Sequence, residues 1–491
     1  SPLAHAPECR GQIGAPHVAA VDDTGDDEAW TLLTTLQELK GHEESAGPNR
    51  PLGAVHGSDP DTRSWAEKKA DEELSLGRSA QPYVLVIGGG QGGIALGARL
   101  RQLGVPSVVV DRHDRPGDQW RKRYKSLCLH DPVWYDHLPY LPFPDNWPVF
   151  APKDKIGDWL EFYTKVMEVP YWSKTTCLSA EYDEAESRWT VEVDRDGERL
   201  TLHPTQLVLA TGMSGKPAVP SVPGQDVFAG EQHHSSQHPG PDGFAGKRVV
   251  VVGANNSAHD ICKALVENGI DTTMIQRSST HIVKSDSLME IGLGALYSEQ
   301  AVASGMTTKK ADLTFASLPY RIMHEFQIPL YDQIRERDKD FYARLEAAGF
   351  DLDFGDDDSG LFMKYLRRGS GYYIDVGASE LDPVRVVEPV DCALLGRLAG
   401  VVTRATLALS LLCAAAGAAS RLLRAAQTTG RGRLPQPWTG FPQKTPRHKP
   451  LLLIPQMLPH DHLLQHSRSA RLRETRFPLS LRPPKDHRPA P

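Results

Sequence analysis

The stretch "VLVIGGGQGGIALGARLRQLGVPSVVVDR", Val84 to Arg112, reads as strand, glycine turn, helix and second strand. An unbroken aliphatic run suits a strand buried on both faces, and the spacing of apolar residues after it suits an amphipathic helix. Between them, Gly88, Gly90 and Gly93 occupy the three places of a G-x-G-x-x-G turn. The first glycine makes the turn, the second lets the backbone approach a pyrophosphate, and the third lets helix and strand pack closely. The helix start then faces an anion with free N–H groups and its positive dipole end. Asp111 closes the second strand, 23 residues after Gly88, where a carboxylate can accept from ribose hydroxyls. Gln91 in the turn and Arg112 beside Asp111 complete this candidate dinucleotide site. The alternative is a glycine turn without a ligand.

A second unit repeats the outline: "VVVVGANNSAHDICKALVENGIDTTMIQRS", Val249 to Ser278. Gly253 holds the first place, Asn255 replaces the second glycine, and Ala258 stands in the third, with Asn256 and Ser257 between them. Asparagine tolerates positive φ better than most residues, but its side chain crowds the approach to a pyrophosphate. At the ribose end stand Arg277 and Ser278. An arginine cannot accept from a hydroxyl but can pair with a 2′-phosphate, which points to NADP(H) rather than NAD(H). A structural repeat that no longer binds is the other reading. Two dinucleotides in one chain, a flavin and a nicotinamide, imply hydride transfer between them.

The rest of the composition agrees with this class. Of the 55 Lys and Arg residues, 17 fall in residues 384–491 against 5 acids there, so the body before them is acidic and no nucleic-acid partner is expected. The six cysteines form no CxxC pair, which suits a reducing, cytoplasmic setting and leaves a disulfide reductase without its redox pair. His233, His234 and His238 lack the companions of a metal site, so none is expected. Val401–Ser420 is apolar but interrupted by Arg404, and no membrane partner is expected.

The fold expected is therefore α/β, with two Rossmann-like dinucleotide-binding domains, the second inserted in the first. Residues 1–80 read as an extended lead-in with one helix, at "AWTLLTTLQELKGHEE". Residues 81–245 form the FAD-binding domain and 246–381 the NADPH-binding domain. Residues 382–491, rich in Arg, Pro, Ala, Leu and His, read as a disordered tail, leaving the sheet edge near "LVLATG" partly uncovered. Trp120 to Phe150 is too irregular for regular elements.

Further strings resemble the flavin-containing monooxygenase family. "FAGEQHH" gives Phe228, Gly230 and His234 in an FxGxxxH pattern, and "LATG" carries Thr211 and Gly212. "GDQWRKRY", "YKSLCLHDPVWYDHLPYLPFPDNWPVFAPKDKIGDWLEFYTK" and "GYYIDVGASEL" are similar to the YUCCA-type plant monooxygenases and to a longer fungal and bacterial group. The resemblance runs from about residue 82 to 381. It implies that Gly117, Asp118, Gln119 and Trp120 line the flavin, that Arg123 lies near it, and that His130 stands over the flavin ring as the catalytic candidate. It also implies FAD and NADPH as cofactors. The activity implied is that of an N,N-dimethylaniline monooxygenase-like enzyme, in which a flavin 4a-hydroperoxide oxygenates a small organic substrate with O2. The chain departs from the family after Leu381, where the closing strands and second ATG do not follow. A degenerate flavoprotein without activity is thus the competing reading.

Overall fold

The computed structural model describes residues 9–13, 17–21, 27–31, 33–54, 56–58, 62–219, 225–380, 385–387 and 451–453. Four strands open the chain: β1 (Cys9–Ile13), β2 (His17–Val21), β3 (Asp27–Thr31) and β4 (Thr34–Leu39). They form two antiparallel pairs, β1 with β4 and β2 with β3. The helix expected around Ala29–Glu44 is therefore strand. Thr31, Thr34 and Thr35 are β-branched and lose side-chain freedom in a helix but fit a pleated surface. The helix of the lead-in is instead α1 (Trp65–Ser75), started by a reciprocal capping box between Ser64 and Glu67.

The first nucleotide unit follows the sequence reading. β5 (Val84–Ile87), α2 (Gln91–Gln102) and β6 (Ser107–Val110) form the βαβ core. The short α3 (Asp118–Arg121) leads into a stretch without regular elements, which ends at α4 (Lys153–Val166) and β7 (Tyr171–Trp172). An antiparallel sheet of β8 (Thr175–Asp183), β9 (Arg188–Arg195) and β10 (Glu198–Leu202) precedes β11 (Gln206–Leu209). β11, β5, β6 and β7 lie side by side in parallel. The alternation of the strands sends two sets of side chains to opposite faces. Val86 and Val109 meet Ile94 and Ala98 of α2 and Leu160 and Tyr163 of α4. Leu85, Val108 and Val110 meet Trp172, Trp189 and Val191 on the side of the antiparallel sheet. Each such fully buried aliphatic side chain contributes about 1.5–3 kcal/mol. Both faces are covered, which is why the strands read as continuous apolar runs.

The second unit comprises β12 (Arg248–Val252), α5 (Asn256–Glu267), β13 (Asp271–Ile275), β14 (His281–Lys284) and β15 (Tyr372–Asp375). β12 pairs with β13 and β14 with β15, all in parallel. Helices between β14 and β15, among them Met323–Arg337 and Gly360–Arg368, bury Tyr331, Ile334, Leu361 and Phe362 against Val283 and Ile374.

Two strands lie where none was expected. β16 (Arg385–Val387) pairs with β13, and β17 (Leu451–Leu453) pairs with β11 at Leu207–Leu209, so the edge at "LVLATG" is occupied. Three successive aliphatic residues suffice for such an edge strand, and composition averaged over a long tail hides so short a run. The remainder of residues 382–491, including Val401–Ser420, lies outside the described residues. No helix among the described residues is long and apolar enough to cross a membrane.

Candidate functional site

The first glycine turn is built by contacts that only glycine permits. Gly88 has φ +108°, and a Cβ there would lie 2.4 Å from the Ala210 carbonyl oxygen. A Cβ on Gly93 would lie 1.9 Å from the Gly88 carbonyl oxygen, so the start of α2 packs directly on the turn. Gly90 differs. It is the extended N-cap of α2, and a Cβ on it would meet only Gln119 Nε2, at 3.6 Å. That leaves open space beside backbone N–H groups which no carbonyl of the helix can reach.

Three side chains hold this turn. Tyr171 and Gln119 donate to the Gly89 carbonyl at 3.2 and 3.4 Å, and Trp120 Nε1 donates to Gln91 Oε1 at 3.2 Å. Gln119, Trp120 and Gln91 therefore sit together at the turn, while Tyr171, the first residue of β7, was not singled out from the sequence. Gln119 Oε1 is buried without a partner, an acceptor that a ligand donor would satisfy.

Asp111 is more engaged than its position suggested. One carboxylate oxygen accepts from the Gly89 N–H at 2.7 Å, and the other lies 2.9 Å from the His113 N–H and 2.6 Å from His113 Nδ1. Burial pushes this carboxyl up, but the hydrogen bonds from His113 and Gly89 outweigh it and hold it below the ordinary value. A carboxylate offers about four lone-pair directions, so room for about one ligand hydroxyl remains rather than two. Arg112 beside it is exposed.

Gly117, at φ +88°, packs so closely on α4 that a Cβ would lie 2.1 Å from the Gly157 carbonyl oxygen. Asp118 is buried and paired with Arg121 at 3.1 Å and Arg115 at 3.3 Å. Its charge is spent within the protein. Arg123 lies over the Tyr124 ring at 5.7 Å. Thr211 is exposed, and Gly212 takes φ +76°.

In the second turn, Gly253 has φ +136° and its missing Cβ would face that of Ala258 at 3.7 Å, so alanine fits the third place. Asn255 is an extended N-cap at φ −104°. Any residue adopts that conformation, and the expected benefit of asparagine at positive φ does not arise. Asn256 Oδ1 accepts from the Ile374 N–H of β15 at 3.2 Å, and the Ser257 side chain lies beside the Tyr124 phenol. Both turn toward the protein. Arg277 and Ser278 are exposed, and among the described residues Arg277 forms no ion pair.

Between the units, Phe228 packs over Gly230, whose Cβ would lie 2.4 Å from the ring. His234 Nδ1 accepts from the Ser236 N–H at 3.2 Å and caps a short 3-10 turn. His233 and His238 stack at 5.4 Å. Among the described residues no three His, Cys, Asp or Glu side chains are grouped as metal ligands.

His130 is drawn against the start of the second unit. Its Nε2 lies 3.1 Å from Asp260 Oδ1 on α5, both side chains are 8% exposed, and the Tyr124 phenol donates to Asp260 Oδ2 at 2.8 Å. Burial first, then the Asp260 charge, pushes the phenol well above its ordinary value. His130 Nδ1 is buried with no partner. Asp260 and Tyr124 were not singled out from the sequence. A charged residue among Ala258, Ile261 and Cys262, all buried on α5, was the signal that a partner had to exist.

Residues 85–325 match the family model described as pyridine nucleotide-disulphide oxidoreductase. The chain is 36% identical over 203 residues to indole-3-pyruvate monooxygenase YUCCA1 of Oryza sativa subsp. japonica, covering 41% of this chain and 49% of the relative. It is 36% identical over 201 residues to the probable indole-3-pyruvate monooxygenase YUCCA9 of Arabidopsis thaliana, covering 40% and 48%. The chain thus spans about half the length of the relatives it matches. Among solved structures, a flavin-containing monooxygenase from Stenotrophomonas maltophilia is 28% identical with a TM-score of 0.38, covering 41% of this chain and 59% of that one.

Proposed function

We propose that the chain, which is similar to flavin monooxygenases over about half their length, is an NADPH-dependent FAD monooxygenase acting on a small organic substrate with O2. The observation that carries this reading is the contrast between the ribose ends of the two turns. Asp111, a buried carboxylate, closes the first, and Arg277, an exposed guanidinium, closes the second.

FAD and NADPH are the cofactors of this family, and the residues present fit them. Open space beside Gly90 and the partnerless Gln119 Oε1 support a pyrophosphate and a polar ligand edge at the first turn. Asp111 would take a ribose hydroxyl, and the α2 start would hold the phosphates. Gly253, Ala258 and the α5 start would hold NADPH, with Arg277 on the 2′-phosphate. Asn256 and Ser257 would act through the backbone, since their side chains are turned inward. Bound flavin, reduced by NADPH, supplies the electrons that activate O2. The protein's part is to hold the two cofactors at adjoining turns and to exclude water, which the buried Tyr124, Asp260 and His130 side chains do at the junction. No side-chain nucleophile is required.

The test is direct. Purified full-length chain should carry flavin absorbance through gel filtration, and NADPH should bleach it and consume O2. A colourless protein that gains no absorbance with added FAD would defeat this reading and leave the degenerate flavoprotein.

A further inference from the structure

A line of side chains runs from the second nucleotide turn to the buried nitrogen of His130. Ser257, in the first turn of α5, lies beside the Tyr124 phenol. That phenol donates to Asp260 Oδ2 at 2.8 Å, and Asp260 Oδ1 lies 3.1 Å from His130 Nε2. Three other groups face the imidazole. Asp131 follows it in the chain, Tyr373 of β15 meets its ring edge-on at 5.9 Å, and His259 of α5 is held neutral by burial. Asp260 is the carboxylate at hydrogen-bonding distance.

A neutral imidazole carries one N–H, and an ionised carboxylate can only accept. The proton therefore belongs on the nitrogen that faces Asp260, and the other nitrogen keeps its lone pair. That other nitrogen, Nδ1, is the buried atom without a partner. We propose that Asp260 is a positioning residue that fixes His130 as the Nε2–H tautomer and leaves Nδ1 as the acceptor for an N–H donor of a bound heteroaromatic cofactor. The ligand half of this statement rests on the dinucleotide reading above. The donor is a ring or amide N–H, such as the isoalloxazine ring or the nicotinamide carboxamide supplies. A phosphate or carboxylate would meet lone pair with lone pair.

The tautomer can be read without any cofactor. Full-length protein carrying 15N-histidine, with the His130 signals assigned by loss in His130→Asn, gives the proton's position from long-range proton–nitrogen correlations in mildly alkaline buffer. The expected result is a proton on Nε2. In Asp260→Asn the Tyr124 hydroxyl keeps the amide oxygen, so the amide NH2 faces Nε2 and the proton moves to Nδ1. In Asp260→Asn/Tyr124→Phe the oxygen is released to face His130, and the original tautomer returns. Tyr124→Phe alone leaves it unchanged. A merely space-filling Asp260 would leave one tautomer in all four proteins, and that result overturns the proposal. So does a wild-type His130 protonated on Nδ1 or on both nitrogens, a result that needs no variant to fold.

Adding FAD alone or NADP+ alone then identifies the donor, because the Nδ1 resonance moves with the cofactor that supplies it. No movement with either bound cofactor overturns the acceptor role. Failure to retain flavin counts against the dinucleotide reading and is seen in absorbance. The ligand-free tautomer still decides the role of Asp260.

Discussion

The Gly89 N–H donates to the Asp111 carboxylate at 2.7 Å, so the acid that ends the second strand also clamps the turn that ends the first. Removing the carboxylate strips a turn hydrogen bond as well as the proposed ligand contact. Asp111→Ala should lose FAD and stability together, each by about 1.5–3 kcal/mol for a charge-assisted bond. Titration calorimetry with FAD and urea denaturation of the apoprotein would separate the two losses. A variant as stable as its parent that loses flavin alone would mean the clamp contributes nothing.

The two turns should differ in tolerance at their third position. Gly93→Ala places a methyl 1.9 Å from the Gly88 carbonyl oxygen, so the turn must move. A cost of roughly 1–3 kcal/mol or more follows from overpacking. Ala258→Gly should cost only about 0.5–1 kcal/mol, from helix entropy. Equal losses of thermal midpoint in the two variants would contradict this geometry.

Arg277 is exposed, so the proposed pairing with a 2′-phosphate would be screened by solvent. Arg277→Ala should reduce the preference for NADPH over NADH by about tenfold, near the low end for a charge-assisted bond. Stopped-flow flavin reduction with each nucleotide measures it. An unchanged ratio removes Arg277 from the site.

Acid should destabilise the second unit. Burial lowers the His259 and His281 imidazoles from 6.5 to about 4. Both are neutral in the folded protein where the unfolded chain already binds protons. Stability is therefore complete above about pH 6.5 and falls as the pH drops toward 4. His281 is fully buried, with Nδ1 3.0 Å from the Asp353 carbonyl oxygen. His281→Phe should flatten the decline of urea midpoint across that window. A slope equal to the parent's would assign the acid sensitivity elsewhere.

What could be read in the sequence was what repeats locally. Val84–Arg112 and Val249–Ser278 gave their strands and helices because buried runs and glycine turns are short-range signals. Thr34–Leu39 was misread because a short mixed run fits both periods until pairing decides. Asp260 with His130, and Tyr171 on Gly89, bring together residues 130 and 82 positions apart. No local pattern encodes such a meeting. The need for it was visible only as an acid set among apolar neighbours.

The order of the elements along the chain has a consequence for synthesis on the ribosome. β5, β6, β7 and β11 all lie before Ala210, whereas Asp260 belongs to α5, which follows β12. At about 5–20 residues per second, the first parallel sheet has all four of these strands several seconds before α5 is complete. His130 and Tyr124 must wait through that interval beside an unmade partner. Their contact with Asp260 thus cannot form until these four strands have been synthesised, while β15 and β17 are still to come.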